Sequence, residues 1–354
     1  MSVLVHSHDL YLSTQQSGSV GSAQSTFDHF KVCLNSSPLR CKTGELLRLS
    51  LTQFSCYRNF YHINKFNNRV EFLWSQSNVG TQSHTIYLDE GDYETIEDIA
   101  QNFGEKVKAT LSANATNLTN ITFTNNTNVS TTDKVKKRVL DLSFNYTYQS
   151  NQYLSSVSFA CPQYYSSDET TFNDSYCILG GKRREQDELL DDSFDTTHTN
   201  NNATGTITIR GFFPMQLSST QYLYLTCDEH SDNLESQNLS AAKSLQDTHV
   251  IRSSIIAKIP IQDEICGYQA MSPSPYYINT NNQHISDLVF KIVDHHGRSI
   301  PKISNIETQG NLFSDMTLKI ETFAVGGGEH TLNAPHQNFF YEPNGVGQIQ
   351  NIIG

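Results

Sequence analysis

The chain has 354 residues and carries 24 Lys and Arg against 36 Asp and Glu, a net charge of −12, so its general field repels a phosphate backbone and disfavours direct nucleic-acid binding. Only 17% of residues are charged, 37% are hydrophobic, and 17 Tyr and 19 Phe accompany one Trp, which excludes the disordered class and leans toward β-structure. No run reaches the ~20 apolar residues of a membrane helix, and Met1 to Asp9 has no basic flank leading into an apolar stretch, so neither a membrane span nor a signal peptide is expected.

Residues 1–26, rich in Ser, Gln and Gly, hold too little apolar material to pack and are expected to form a flexible N-terminal arm. Phe27 to Leu34 then alternates with the period of a half-buried strand, and Leu46 to Phe54, Asn68 to Trp74 and His84 to Leu88 follow at the spacing of a sandwich. One helix interrupts them. From about residue 92 to 111, Ile96, Ile99, Ala100, Phe103, Val107 and Leu111 form an amphipathic stripe, with Thr95 and Asp98 as a capped start. The Asn- and Thr-rich stretch 114–128 is expected as an edge hairpin or an exposed loop.

Val139 to Tyr148 is a further strand. Residues 150–205 change character, with Lys182, Arg183 and Arg184 running into an acidic stretch that ends at Asp192, and are read as a long insertion whose charges neutralise one another. Strands return at 205–210, 221–227, 253–261, 286–293 and 316–323. The reading is an all-β sandwich or jelly roll spanning 27–325, with a C-terminal tail over 326–354.

The seven cysteines, Cys33, Cys41, Cys56, Cys161, Cys177, Cys227 and Cys266, form neither an even set nor a CxxC pair, so reduced thiols are expected. The Asn-x-Ser/Thr triplets, such as those at Asn114, Asn145 and Asn238, follow from an Asn/Thr-rich composition. No nucleophile elbow, metalloprotease helix, phosphate loop or dinucleotide fingerprint occurs; no catalytic residue, cofactor or metal ligand is assigned, and an enzyme is not expected. Asp294, His295 and His296 are the best metal candidates, but neighbouring side chains in a turn diverge. A site there would have to borrow a ligand from elsewhere, and a hairpin turn closed by Gly297 is expected instead.

Two stretches carry a resemblance. The first joins Phe30 to Leu34, Leu46 to Ser55, Phe60 to Asn64, Asn67 with Asn68, and Tyr87 to Tyr93; the second joins Tyr222 to Asp228, Ile255 to Pro260, Tyr276 with Tyr277, and Leu288 to Pro301. Together they resemble the minor capsid (penton) proteins of polinton-like viruses, adintoviruses and virophages, over about two thirds of the chain, leaving out the arm, residues 112–205 and the tail. The resemblance implies a jelly-roll subunit located in the virion and made in the host cytoplasm or nucleus. It also implies a homopentameric ring at icosahedral vertices, in contact with the major capsid protein and other minor capsid proteins.

The last strand before the Asp294 turn supplies the candidate interface. Leu288, Phe290 and Ile292 share one face, while Val289, Lys291 and Val293 share the other, still largely apolar, which a neighbouring subunit is expected to cover. The competing reading is a carbohydrate- or receptor-binding β-sandwich module, in which a loop of the same chain covers that face.

Overall fold

The computed structural model describes residues 2–13, 29–34, 38–76, 80–115, 117–127, 138–149, 153–165, 171–184, 192–201, 203–227, 234–236, 238–240, 251–253, 255–261, 265–270, 277–280, 284–285, 287–301, 303 and 314–325. Within these lie strands in two sandwiches, each with its own hydrophobic core.

The first sandwich joins the two ends of the described chain. One sheet runs β1 (Ser2–Ser13), β22 (Ser314–Val325), β4 (Glu45–Tyr57), β19 (Tyr277–Thr280), β14 (Leu234–Ser236), with β18 (Ile265–Gln269) also paired to β4. The facing sheet runs β17 (Ile255–Pro260), β13 (Tyr222–Cys227), β21 (Asp287–Val293), β2 (His29–Cys33). Two short ribbons complete it, β3 (Leu39–Arg40) with β20 (His284–Ile285) and β15 (Asn238–Ser240) with β16 (Ile251–Ser253). From β2 through β4, β13, β14, β17 and β19 to β21, each of these long crossings switches sheet. The late strand β21 lies between β2 and β13, while β19 lies between β4 and β14. That interleaving is a jelly roll.

A single bulge sets which way β4 faces. Leu51 pairs Leu318 and Gln53 pairs Thr317, so Thr52 is an extra residue, and its hydroxyl donates to Thr317 O at 2.9 Å. The bulge shifts side-chain parity, which is why Leu47, Leu49 and Leu51 at odd positions and Phe54 and Cys56 at even ones all enter the core.

The second sandwich is inserted between β4 and β13. Among the described residues, its core draws only on those between Ile63 and Leu217, whereas the jelly-roll core draws on residues up to Phe60 and from Leu223 onward. One sheet is β10 (Arg183–Arg184), β9 (Leu154–Pro162), β5 (Arg69–Gln76), β6 (Gly80–Tyr87); the other is β11 (Asp195–Asn201), β12 (Thr204–Arg210), β8 (Asp141–Tyr148), β7 (Leu118–Asn125). Helix α1 (Ile96–Asn114) packs on β6, β7 and β8. It starts in the expected capping box, Thr95 accepting from Asp98 N and Asp98 from Thr95 N, and all six residues of the expected stripe are buried. Gly104 lies against β7 so closely that a Cβ there would stand 2.5 Å from the Phe123 ring. A short helix α2 (Ser175–Leu179) ends at Gly180, left-handed at φ +70°.

These observations correct the expected organisation. The described part of 150–205 is no loop: it supplies β9, α2, β10, β11 and the start of β12, and buries Leu154, Phe159, Cys161, Ile178, Leu179 and Phe194. The strand period was broken in sequence by a second bulge. Ser156 pairs Ser75 while Leu154 pairs Gln76, so Ser155 is extra, and the buried residues Leu154, Val157 and Phe159 fall at uneven spacing. In the N-terminal segment, β1 pairs along β22 as an edge strand and packs Leu10 and Leu12 against the jelly-roll core, while Leu4 to Asp9 stay exposed; the backbone pairing is invisible to an apolar count. The remainder of the expected arm, residues 14–26, and the tail 326–354 lie outside the described residues. β7 is an edge strand, one of the two forms expected for the Thr-rich stretch, but it is not surface alone: Leu118 and Ile121 are buried in the core of the inserted sandwich.

Candidate interface and the junction between the sandwiches

On β21 the alternation is as expected: Leu288, Phe290 and Ile292 enter the jelly-roll core. The opposite row differs. Val289 is 2% exposed, covered by its own chain, whereas Lys291 and Val293 are half-buried. Antiparallel pairing places Lys31 beside Val289, His29 beside Lys291, and Tyr224, then Lys258, beside Val293. This outer face is therefore a mixture of lysine and aromatic side chains, with the Lys258 ammonium 3.8 Å from the centre of the exposed Tyr222 ring.

Beyond β21 the chain turns from Asp294 to Arg298, with Gly297 at φ +78°. Asp294 Oδ1 accepts from the backbone N–H of His296 (2.8 Å) and Arg298 (2.9 Å), and Oδ2 accepts from Arg298 Nε at 2.7 Å. A carboxylate inside the turn thus makes the two neighbouring histidines project to one side, where sequence reasoning expects them to diverge. They meet the inserted sandwich there. His296 stacks on Phe172 with ring centres 4.2 Å apart, and its Nε2 lies 3.0 Å from Asp174 Oδ1. His295 Nε2 lies 3.8 Å from Asp174 Oδ2, which also accepts from Arg298 Nη2 at 2.8 Å. Arg298 also donates to Phe172 O, and its guanidinium covers the Phe66 ring at 4.2 Å.

Asp174 precedes α2 at the N-cap position yet makes no capping bond; its carboxylate, with a side chain 3% exposed, is committed to the turn. Burial pushes that carboxyl up, but the His296 hydrogen bond and the charges of His296, Arg298 and His295 outweigh it and hold it below the usual carboxylate range. Burial, then the neighbouring His296, hold the His295 imidazole below its ordinary value against the pull of Asp174 and Asp294. Arg298 bridges two buried carboxylates, so removing it would take the guanidinium partner from both.

No protein-family model and no curated protein matches the sequence. Among solved structures, the crystal structure of the selenomethionine-labelled mavirus penton protein aligns with 90% of this chain and 100% of its own at 9% identity, with a TM-score of 0.44. The chain is similar to the mavirus penton protein. The 3.5 Å cryo-EM structure of the Sputnik virophage aligns with 92% of this chain and 98% of its own, at 9% identity and a TM-score of 0.35.

One further contact joins the sandwiches, and another closes the base of the insertion. Arg58, just past β4, makes a two-pronged pair with Asp92 at 3.0 and 2.7 Å. Asn67 Nδ2 donates to Ser219 Oγ at 2.8 Å, tying the entry of the inserted sandwich to its exit. Six of the seven cysteines, Cys41, Cys56, Cys161, Cys177, Cys227 and Cys266, are thiols in the structure. Neither Asp174 nor Asp92 carried a sequence signal, because their partners lie over a hundred residues away in one case and across a connection in the other. No helix among the described residues is long and apolar enough to cross a membrane.

Proposed function

We propose that this chain is a minor capsid subunit whose jelly roll assembles into a symmetric ring, a homopentamer at icosahedral vertices, and contacts the major capsid protein and other minor capsid proteins in the virion. One observation carries the reading: the strands of the two sequence stretches that resemble penton proteins close on each other. Phe30 pairs with Phe290 and Val32 with Leu288, β21 pairs β13, β13 pairs β17, and β4 pairs β19, so stretches separated by the inserted sandwich form a single jelly roll. The outer face of β21, β13 and β17 supports the assembly, since half-buried Val293 and Tyr224 and exposed Tyr222 give it the aromatic character favoured at subunit contacts.

Sedimentation velocity of the full chain across a concentration series tests it. A closed ring that dissociates on dilution is expected, and Val293→Glu with Tyr222→Glu should shift it toward monomer while far-UV circular dichroism stays unchanged. A monomer at every concentration that is not recruited to particles of the major capsid protein would refute the capsid reading and favour the binding module.

A further inference from the structure

We propose that Asp174, His295 and His296 form a site for one divalent transition-metal ion, with zinc as the natural probe, that fastens the inserted sandwich to the jelly roll. The inference is independent of the capsid reading. One ligand atom from each of the three residues lies within 4.8 Å of the others. Tetrahedral donors about 2.0–2.1 Å from zinc sit about 3.4 Å apart. His296 Nε2 and Asp174 Oδ1 are already at 3.0 Å, and His295 Nε2, 3.8 Å from Asp174 Oδ2, needs only a small ring movement. Its side chain, at 38% exposed, has room for that movement and leaves the remaining coordination position open to water.

The surroundings suit a cation. Asp174 and Asp294 contribute two negative charges and Arg298 one positive, so with neutral imidazoles the site is net negative before any ion enters. Arg298 engages Asp174 Oδ2 and leaves Oδ1 toward His296, while the stack on Phe172 fixes the His296 ring and the Asp294 turn fixes its backbone. Two imidazole nitrogens and one carboxylate oxygen form a donor set for zinc, cobalt or nickel rather than calcium or magnesium. An ion there needs the lone pair of each imidazole nitrogen and the ionised carboxylate, so binding competes with protons. Asp174 belongs to the inserted sandwich and both histidines to the jelly roll, so the ion would cross-link the two.

Calorimetric titration of the full chain with zinc chloride near neutral pH is the test, run in parallel on His295→Gln and His296→Gln. His6 and His8 lie two apart on the exposed β1, so a His6→Ala, His8→Ala variant serves as the control. One equivalent that raises the melting temperature is expected, retained in the β1 control and lost in His295→Gln and His296→Gln. The His295→Gln chain should melt like the parent without metal, because its native polar contact is long. Absence of binding, binding unchanged in both glutamine variants, or loss in the β1 control would each overturn the site. Cobalt substitution adds a second readout: a four-coordinate visible spectrum without thiolate charge transfer is expected, and a thiolate band would place the ion on cysteine and refute the assignment.

Discussion

Val289 and Phe290 are adjacent on β21 and both closed to solvent, at 2% and 1% exposed, though they face opposite ways. Phe290→Ala leaves a cavity in the jelly-roll core and is expected to cost about 3–5 kcal/mol. Val289→Glu is expected to be comparably severe, since a carboxylate is buried among atoms of its own chain without a partner; chemical denaturation of the two variants checks both. The alternation along 287–293 was legible in sequence, but a position closed by its own chain and one left half-open have the same spelling. Only the fold separates buried Val289 from half-buried Val293.

His198 illustrates a different residue-level consequence. Its Nε2 lies 2.7 Å from the Tyr146 hydroxyl, which lies 3.3 Å from that of Tyr148. Burial lowers the His198 imidazole below its ordinary value, only partly offset by Asn200. A histidine whose folded pKa is depressed favours the native state while neutral. Its contribution is complete above the unfolded value of about 6.5 and is lost as the pH falls through that value toward the folded one. Melting temperature measured from neutral pH down to about 5 should therefore fall less steeply in His198→Gln than in the parent; parallel curves would show that another group governs this range.

At the scale of elements, regular periodicity was readable and its interruptions were not. α1 was legible to its cap because the Thr95–Asp98 box and a six-residue stripe are local signals. β9 was hidden because the Ser155 bulge breaks the spacing of Leu154, Val157 and Phe159, and the neighbouring charge run dominates the composition. The contact between α1 and β7 yields a test. Gly104→Ala gains about 1 kcal/mol of helix propensity, but the new methyl meets the Phe123 ring, stacked on Phe144 at 5.6 Å, and overpacking costs about 1–3 kcal/mol. Net destabilisation is expected, and Gly104→Ala combined with Phe123→Leu should recover part of it in thermal melts. Recovery would fail if the helix glycine served some other purpose.

For the whole molecule, the division into two cores is the largest departure from the expected single sandwich. The sequence resemblance stopped across 112–205, inside the inserted sandwich, yet composition does not change at the true boundaries near residues 62 and 218, so nothing local marked them. Since, among the described residues, the second core draws on none outside 63–217, a fragment spanning 62–219 is expected to fold alone and melt cooperatively. Circular dichroism of that fragment checks it; a non-cooperative melt would mean that the turn at Asp294 and the Arg58–Asp92 pair are needed to complete it.

The Asn67–Ser219 hydrogen bond bears on how the jelly roll experiences its insertion. Because the two ends of the excursion meet, the crossing from β4 to β13 is, for the sandwich that bears it, a short loop whatever the size of its cargo. Closure entropy grows only slowly with loop length even for a floppy chain, and here folding of the cargo supplies the closure itself. The crossing thus behaves as a socket. A brief Gly-Ser bridge between residues 66 and 220 should leave the jelly roll standing, and so should an unrelated domain with neighbouring termini, which lets the inserted sandwich change without renegotiating the one that bears it.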